Sequence, residues 1–202
     1  MATPSRLDVL RGAERVGAQR GIDALSLATV AAECGTTTAT VASFFHDETT
    51  LLDAVLERHQ TPYERRWEEI FDTIETPRDA LRLLVRTMVE KVDDEDGGAA
   101  YVSIASQMTT SPRFTLAGRP ATTTPTALRL IGKLTSHTAL PFELIPVRFD
   151  RFAMVLFGSV ASWSRLGAAR STRELFVEEL VDCLAYMGLA APTDDVRRRL
   201  ES

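Results

Sequence analysis

The sequence predicts an all-α chain with a short three-helix front, a helix-turn-helix over residues 1–47, and a larger helical body over 48–202. Two observations carry this. Apolar residues recur at helical spacing along most of the chain, and Gly, Pro and Ser/Thr/Asp punctuation falls where helices should start and stop. No alternating apolar and polar run of strand length interrupts the pattern, and 45% hydrophobic with 25% charged residues is ordinary globular composition.

The first helix is expected over 7–20, with Leu7, Leu10, Ala13 and Val16 inward and Gly21 as its stop. Ser26 is placed to cap a second, two-turn helix over 27–33, whose Leu27, Val30 and Ala31 face inward before Gly35 breaks it. A third opens at Thr36, Thr37 and Thr38 and carries Ala39, Val41 and Ala42 toward Phe44 and Phe45. Short helix, glycine turn, short helix is the helix-turn-helix grammar. Asp47 then caps a long helix bearing Leu51, Leu52, Val55, Leu56 and His59, with a kink expected at Pro62 before Tyr63, Trp67, Ile70 and Phe71 resume the stripe. Further helices are expected over 77–92, 98–108, 126–137, 147–166 and 172–187. They are separated by the acidic run 93–96 with Gly97 and Gly98, by the Thr- and Pro-rich 111–125, and by 139–146.

Several function classes are excluded on the residues. No Gly-x-Ser-x-Gly, His-Glu-x-x-His, phosphate loop or dinucleotide fingerprint occurs, so no enzyme, cofactor or metal site is expected. His46, Asp47 and Glu48 are neighbours that point apart, and the acidic run 93–96 lacks calcium-loop spacing and is read as a solvated turn. Cys34 and Cys183 have no partner spacing and are expected as reduced, buried thiols. With no apolar run of bilayer length and no leader pattern, the chain is expected in the cytoplasm with no membrane partner.

Val9-Leu10, Ala13-Glu14, Gln19-Arg20-Gly21, Leu25-Ser26-Leu27, Val30-Ala31, Glu33-Cys34-Gly35, Thr40, Phe45 and Leu51 to Val55 keep one order and spacing without a gap. On these residues the front of the chain resembles the DNA-binding domain of the TetR family. The resemblance implies a homodimeric transcriptional regulator, a repressor of a double-stranded DNA operator. Its helical domain over 48–202 would bind ligand and dimerise. Three positions depart from the family's habit: Ala42 replaces a usual Tyr, Glu48 a usual Lys and Thr38 an often basic residue.

Charge bears on that expectation. The chain carries a net charge of -5, and residues 1–60 hold the arginines 6, 11, 15, 20 and 58 against a larger number of carboxylates. Candidate DNA contacts are therefore polar and small: Ser26, Thr36, Thr37, Thr38, Thr40, Ser43 and the aromatic Phe44, aided by Arg6 and Arg11 on flanking phosphates. Candidate effector contacts, by helical phase and residue type, are Trp67, Met88, Tyr101, Ile104, Met108 and Phe114, a set suited to an apolar or aromatic small molecule. The last two long helices are apolar around more than one face, which predicts a four-helix dimer interface through Phe152, Leu156, Trp163, Leu180, Leu184 and Met187. A second reading stays open: a TetR-like dimer with degenerate DNA contacts that serves as a small-molecule or protein-binding module.

Overall fold

Each of the first five helices begins where a side-chain oxygen accepts the backbone N–H three residues on, replacing a carbonyl the helix cannot supply. Ser5 does this for α1 (Arg6–Arg20), Ser26 for α2 (Leu27–Glu33), Thr37 for α3 (Thr38–Ala42), Asp47 for α4 (Glu48–Ile70) and Thr76 for α5 (Pro77–Val92). In four of the five, all but Thr37, the N3 side chain returns the bond in a reciprocal capping box. The computed structural model describes residues 4–115, 119, 124–135, 141, 143–167 and 172–200. It continues through α6 (Gly98–Met108), α7 (Pro125–Thr135), α8 (Leu144–Arg165), α9 (Arg173–Leu189) and α10 (Asp194–Leu200), with no strand among the described residues.

The expected helices over 77–92 and 98–108 match α5 and α6 end for end. The expected end of the next at His137 lies outside the described residues. The charged α10 was not foreseen: it has no buried residue and so no apolar stripe to announce it. Nor does Pro62 break α4, which stays helical to Ile70. Pro62 sits on the exposed face, where water can reach the carbonyl that the missing N–H leaves unpaired.

The buried stripe of α1 is Val9, Leu10, Ala13 and Val16, not Leu7, which is 41% exposed. This face packs on α2, α4 and α6, and α6 lies in turn along α8 while α5 runs against α9. Buried residues from Val9 to Leu184 therefore form one continuous core, and a smaller cluster of Trp67, Phe71, Ile74, Ala80 and Leu130 seals the junction of α4, α5 and α7. The cysteines are free but not both inside: Cys34 is half-buried, and Cys183 lies on the outer face of α9.

Between α5 and α6 the backbone folds back on itself. Gly97 takes a left-handed conformation at φ 93°, and a β-carbon at Gly98 would stand 1.8 Å from the Lys91 carbonyl oxygen. No side chain fits beside a backbone atom at that distance. Gly98→Ala should lower the unfolding free energy by about 3 kcal/mol, the upper end of overpacking costs, measured by urea denaturation.

Candidate functional site

The front of the molecule presents the helix-turn-helix face. After α2, Gly35 turns the chain at φ 61° and the Thr36 N–H bonds back to Ala31 at 2.9 Å, which sets α3 across α2. Val41 and Phe45 anchor α3 in the core, while Thr38, Ser43 and Phe44 are exposed. Of the expected DNA contacts, these three and Thr37 are exposed, and the Ser43 Oγ donates to the Thr40 carbonyl at 2.7 Å. The other hydroxyls are engaged or partly covered as well. Ser26 Oγ accepts from the Thr29 N–H at 3.0 Å, and Thr37 and Thr40 share a hydroxyl contact of 3.0 Å while Thr37 also caps α3. Thr36 is half-buried in the turn.

The cations nearby are committed to carboxylates. Arg15 and Arg20 both bind Glu33, whose carboxyl is held below the ordinary range chiefly by its hydrogen bond from Arg15. Arg11 pairs with Asp96 at 2.9 Å and Arg58 with Glu14 and Asp96. Arg11, expected on flanking phosphates, is half-exposed and would exchange Asp96 for a phosphate to serve there. Arg6 differs: its guanidinium lies 4.9 Å over the Phe45 ring at the edge of this face.

Behind the face lies a buried ionic junction. Glu14 of α1 is 3% exposed; its carboxylate meets Arg58 and, at 2.8 Å, the His59 Nε2, both on α4. Arg58 continues to Asp96 in the turn before α6, and Asp96 reaches Arg11 on α1. Hydrogen bonds from Arg11 and then Arg58 hold the Asp96 carboxyl below the usual carboxylate range. The acidic run is thus more than a solvated turn: Asp94 pairs with the buried Lys91, and Asp93 with Arg173. α6 adds neutral clasps, since Gln107 donates to the Gly17 carbonyl at 3.1 Å and accepts the Ile22 N–H at 2.7 Å.

The His59 ring touches Tyr101, centroids 5.1 Å apart, and Tyr101 lines a cavity of about 160 Å³ between α4, α5, α6, α7, α8 and α9. Burial pushes the Tyr101 phenol up to about 12, so it stays a neutral hydroxyl. Trp67, Met88 and Tyr101 line this cavity as expected of effector contacts. Ile104, Met108 and Phe114 do not. Ile104 faces the other way, against Gly17 of α1, Met108 belongs to the main core, and Phe114 is buried beneath Arg113. Missing from the expected set are Gln60, Tyr63, Glu64, Phe149 and Phe157. The first three share a face of α4 with Trp67 at positions i, i+3, i+4 and i+7, a spacing visible in the sequence.

The expected dimer residues belong to the protomer's interior. Leu156, Trp163, Leu180 and Leu184 are buried within one chain, and Phe152, Leu156 and Leu184 line the cavity. Trp163 stacks on Phe176 at 5.3 Å, and Met187 is half-buried. The breadth of apolar coverage on these helices is real, but its outer part is Val147 and Met154 on α8 and Leu175 and Tyr186 on α9.

Comparison with known proteins bears on the front domain and on the fold. Residues 9–55 match the family model of bacterial regulatory proteins, tetR family. No curated protein matches the chain. Among solved structures, a protein from Rhodococcus sp. described as a TetR-family transcriptional regulator superposes with a TM-score of 0.51 at 16% identity, covering 91% of this chain and 97% of its own. The multidrug binding protein EbrR, solved with imidazole, matches at 19% identity and a TM-score of 0.46 over 95% of this chain and 99% of its own. Residues 9–55 thus match the N-terminal domain of that family, and the chain shares the helical fold of the Rhodococcus protein. No helix among the described residues is long and apolar enough to cross a membrane.

Glu14→Gln should destabilise the protein by about 3 kcal/mol, because it turns a neutral amide toward the buried side of the Arg58 guanidinium and leaves only the exposed Asp96 to offset its charge, read as a fall in the urea midpoint. Asp96→Asn tests the same junction by pH. A depressed folded pKa means that the Asp96 contribution is complete above the unfolded value of about 3.9 and is lost as pH falls through the folded one. The Tm gap between wild type and variant should therefore be widest near neutrality and close in acid, measured by calorimetry from about pH 7 to pH 3.

Proposed function

We propose that this chain is a dimeric DNA-binding transcriptional regulator, a repressor released from its operator by a small apolar or aromatic effector. Residues 1–47 would form the reading head and 48–202 the ligand-binding and dimerising body. One observation carries the reading: the cavity and the helix-turn-helix share α4. Gln60 faces the cavity, and its neighbours Arg58 and His59 grip Glu14 on α1. A ligand that shifts Tyr101 or the Gln60 turn of α4 would shift the junction that aims α1 and, through it, α2 and α3. Differential fit of ligand to two positions of α4 is what couples such sites, and the coupling is reciprocal.

For DNA, two α3 helices would enter successive major grooves about 34 Å apart. Thr38, Ser43 and Phe44 are the exposed groups that base edges and phosphates would meet, with Arg6 beside them. The outer apolar residues Val147, Met154, Leu175 and Tyr186 favour a two-fold packing of α8 and α9 on a second copy.

A second reading has a specific observation behind it. Arg11, Arg15, Arg20 and Arg58 are all paired with carboxylates, and Glu48 stands at the start of α4, so few cations are left for phosphates. A dimer of this fold without DNA affinity would then serve as a small-molecule or protein-binding module.

Fluorescence anisotropy on duplexes from the flanks of its own gene, at low and moderate salt, separates the two. A regulator should bind selectively, with a shallow salt slope because it contacts few phosphates through cations. Absence of selective binding across genomic fragments by a folded dimer would favour the module. Ser43→Ala should weaken selective binding by about 1 kcal/mol, the scale of one lost hydrogen bond. Glu48→Lys should raise affinity and steepen the salt slope by about one phosphate equivalent.

A further inference from the structure

Resting on the effector reading above, we propose that the cavity takes a single-ring aromatic cation, an aryl-alkyl ammonium with its ring inside and its charge on Glu64. Size comes first. A cavity of about 160 Å³ matches the apolar voids of about 150 Å³ that accept one benzene ring, so a single ring fills it. The inner end is closed by Met88, Tyr101, Leu156 and Leu184, each no more than 3% exposed, a largely apolar surface that suits a ring, with Tyr101 the one hydroxyl among these four.

Charge decides the rest. Two ionisable side chains of opposite sign line the cavity, Glu64 and Arg148. Arg148 is committed: it donates to the Gly188 carbonyl at 3.1 Å and to that of Ala190, so it closes the C-terminal end of α9, where the helix dipole already supplies negative charge. Lys91, 4.9 Å over the Tyr63 ring, is matched by Asp94. Glu64 has no hydrogen-bond or ion-pair partner among the described residues and is half-buried, on the same face of α4 as Tyr63 and Trp67. A carboxylate left unpaired beside two aromatic rings favours a cation that bonds to it and lies against their faces. An anionic ligand would meet Glu64 with no free positive charge to offset it.

The test is isothermal titration calorimetry of the full chain with benzylamine, benzyl alcohol, benzoate and naphthylmethylamine at neutral pH. Benzylamine should bind about tenfold tighter than benzyl alcohol, the value of one charge-assisted hydrogen bond, with benzoate weakest and the two-ring amine weaker than benzylamine. Glu64→Gln should erase the preference for benzylamine over benzyl alcohol; a circular-dichroism melt that matches wild type shows that the variant keeps its fold. Equal or tighter binding of benzyl alcohol or benzoate, tighter binding of the two-ring amine, or no binding of benzylamine overturns the assignment. The regulatory reading fails separately. Benzylamine that binds through Glu64 without altering DNA affinity supports the ligand class and removes the repressor, whereas benzoate that releases DNA regardless of Glu64 removes the ligand class and keeps the repressor.

Discussion

The carboxylate of Glu14 is the contact on which the arrangement of this molecule depends. It is the acidic group of α1 turned into the core, and its partners Arg58 and His59 are consecutive residues of α4. A carboxylate in that position is tolerable only when paired and hydrogen-bonded, and the pairing is directional, so α1 and α4 can approach in one register. Asp96 extends the constraint to the turn before α6, where Gly97 and Gly98 bring the backbone in close enough for the arginines to reach. An apolar contact of equal area would hold the same helices together with less control over their angle.

That control matters because α4 has two duties. Its first turns pack under the helix-turn-helix through Leu51, Leu52, Val55 and Leu56, and its later turns wall the cavity through Gln60, Tyr63, Glu64 and Trp67. A helix is stiff along its axis, so displacement at one end appears at the other. The ionic junction sits between the two segments. Pro62 lies just beyond it, on the cavity side, and removes one of the backbone bonds that would otherwise resist local bending.

The front domain was legible because its information is local. Capping residues, glycine turns and apolar spacing are written in neighbouring positions, and Ser26, Gly35, Thr37 and Asp47 do in space what their types imply. His59 also stood in the apolar stripe of α4 in the sequence, and Glu14 occupies the buried face of α1 beside Ala13 and Gly17, so the junction left a signal: two polar groups at core phase. The missing step was pairing them across 45 positions. The cavity was half legible. Trp67, Met88 and Tyr101 were found by residue type, while Ile104 was misplaced because α6 buries two faces, one toward α1 and one toward α8, and periodicity does not say which is which. The same ambiguity holds for α8 and α9, which are apolar toward their own core, toward the cavity and toward solvent, so that periodicity does not say which face would meet a second copy.

The sequence by itself determined the all-α class, most helix boundaries, the helix-turn-helix and its resemblance to one family's domain, and the shortage of cations near it, since each follows from residue identity and short-range spacing. The tertiary structure alone decided which arginines already face carboxylates, which side chains enclose the cavity, and that Glu64 lines it with no partner among the described residues. These depend on contacts between residues far apart in the chain. Whether a charge is free or satisfied is a property of what stands opposite it, and helical periodicity names a face without naming its neighbour.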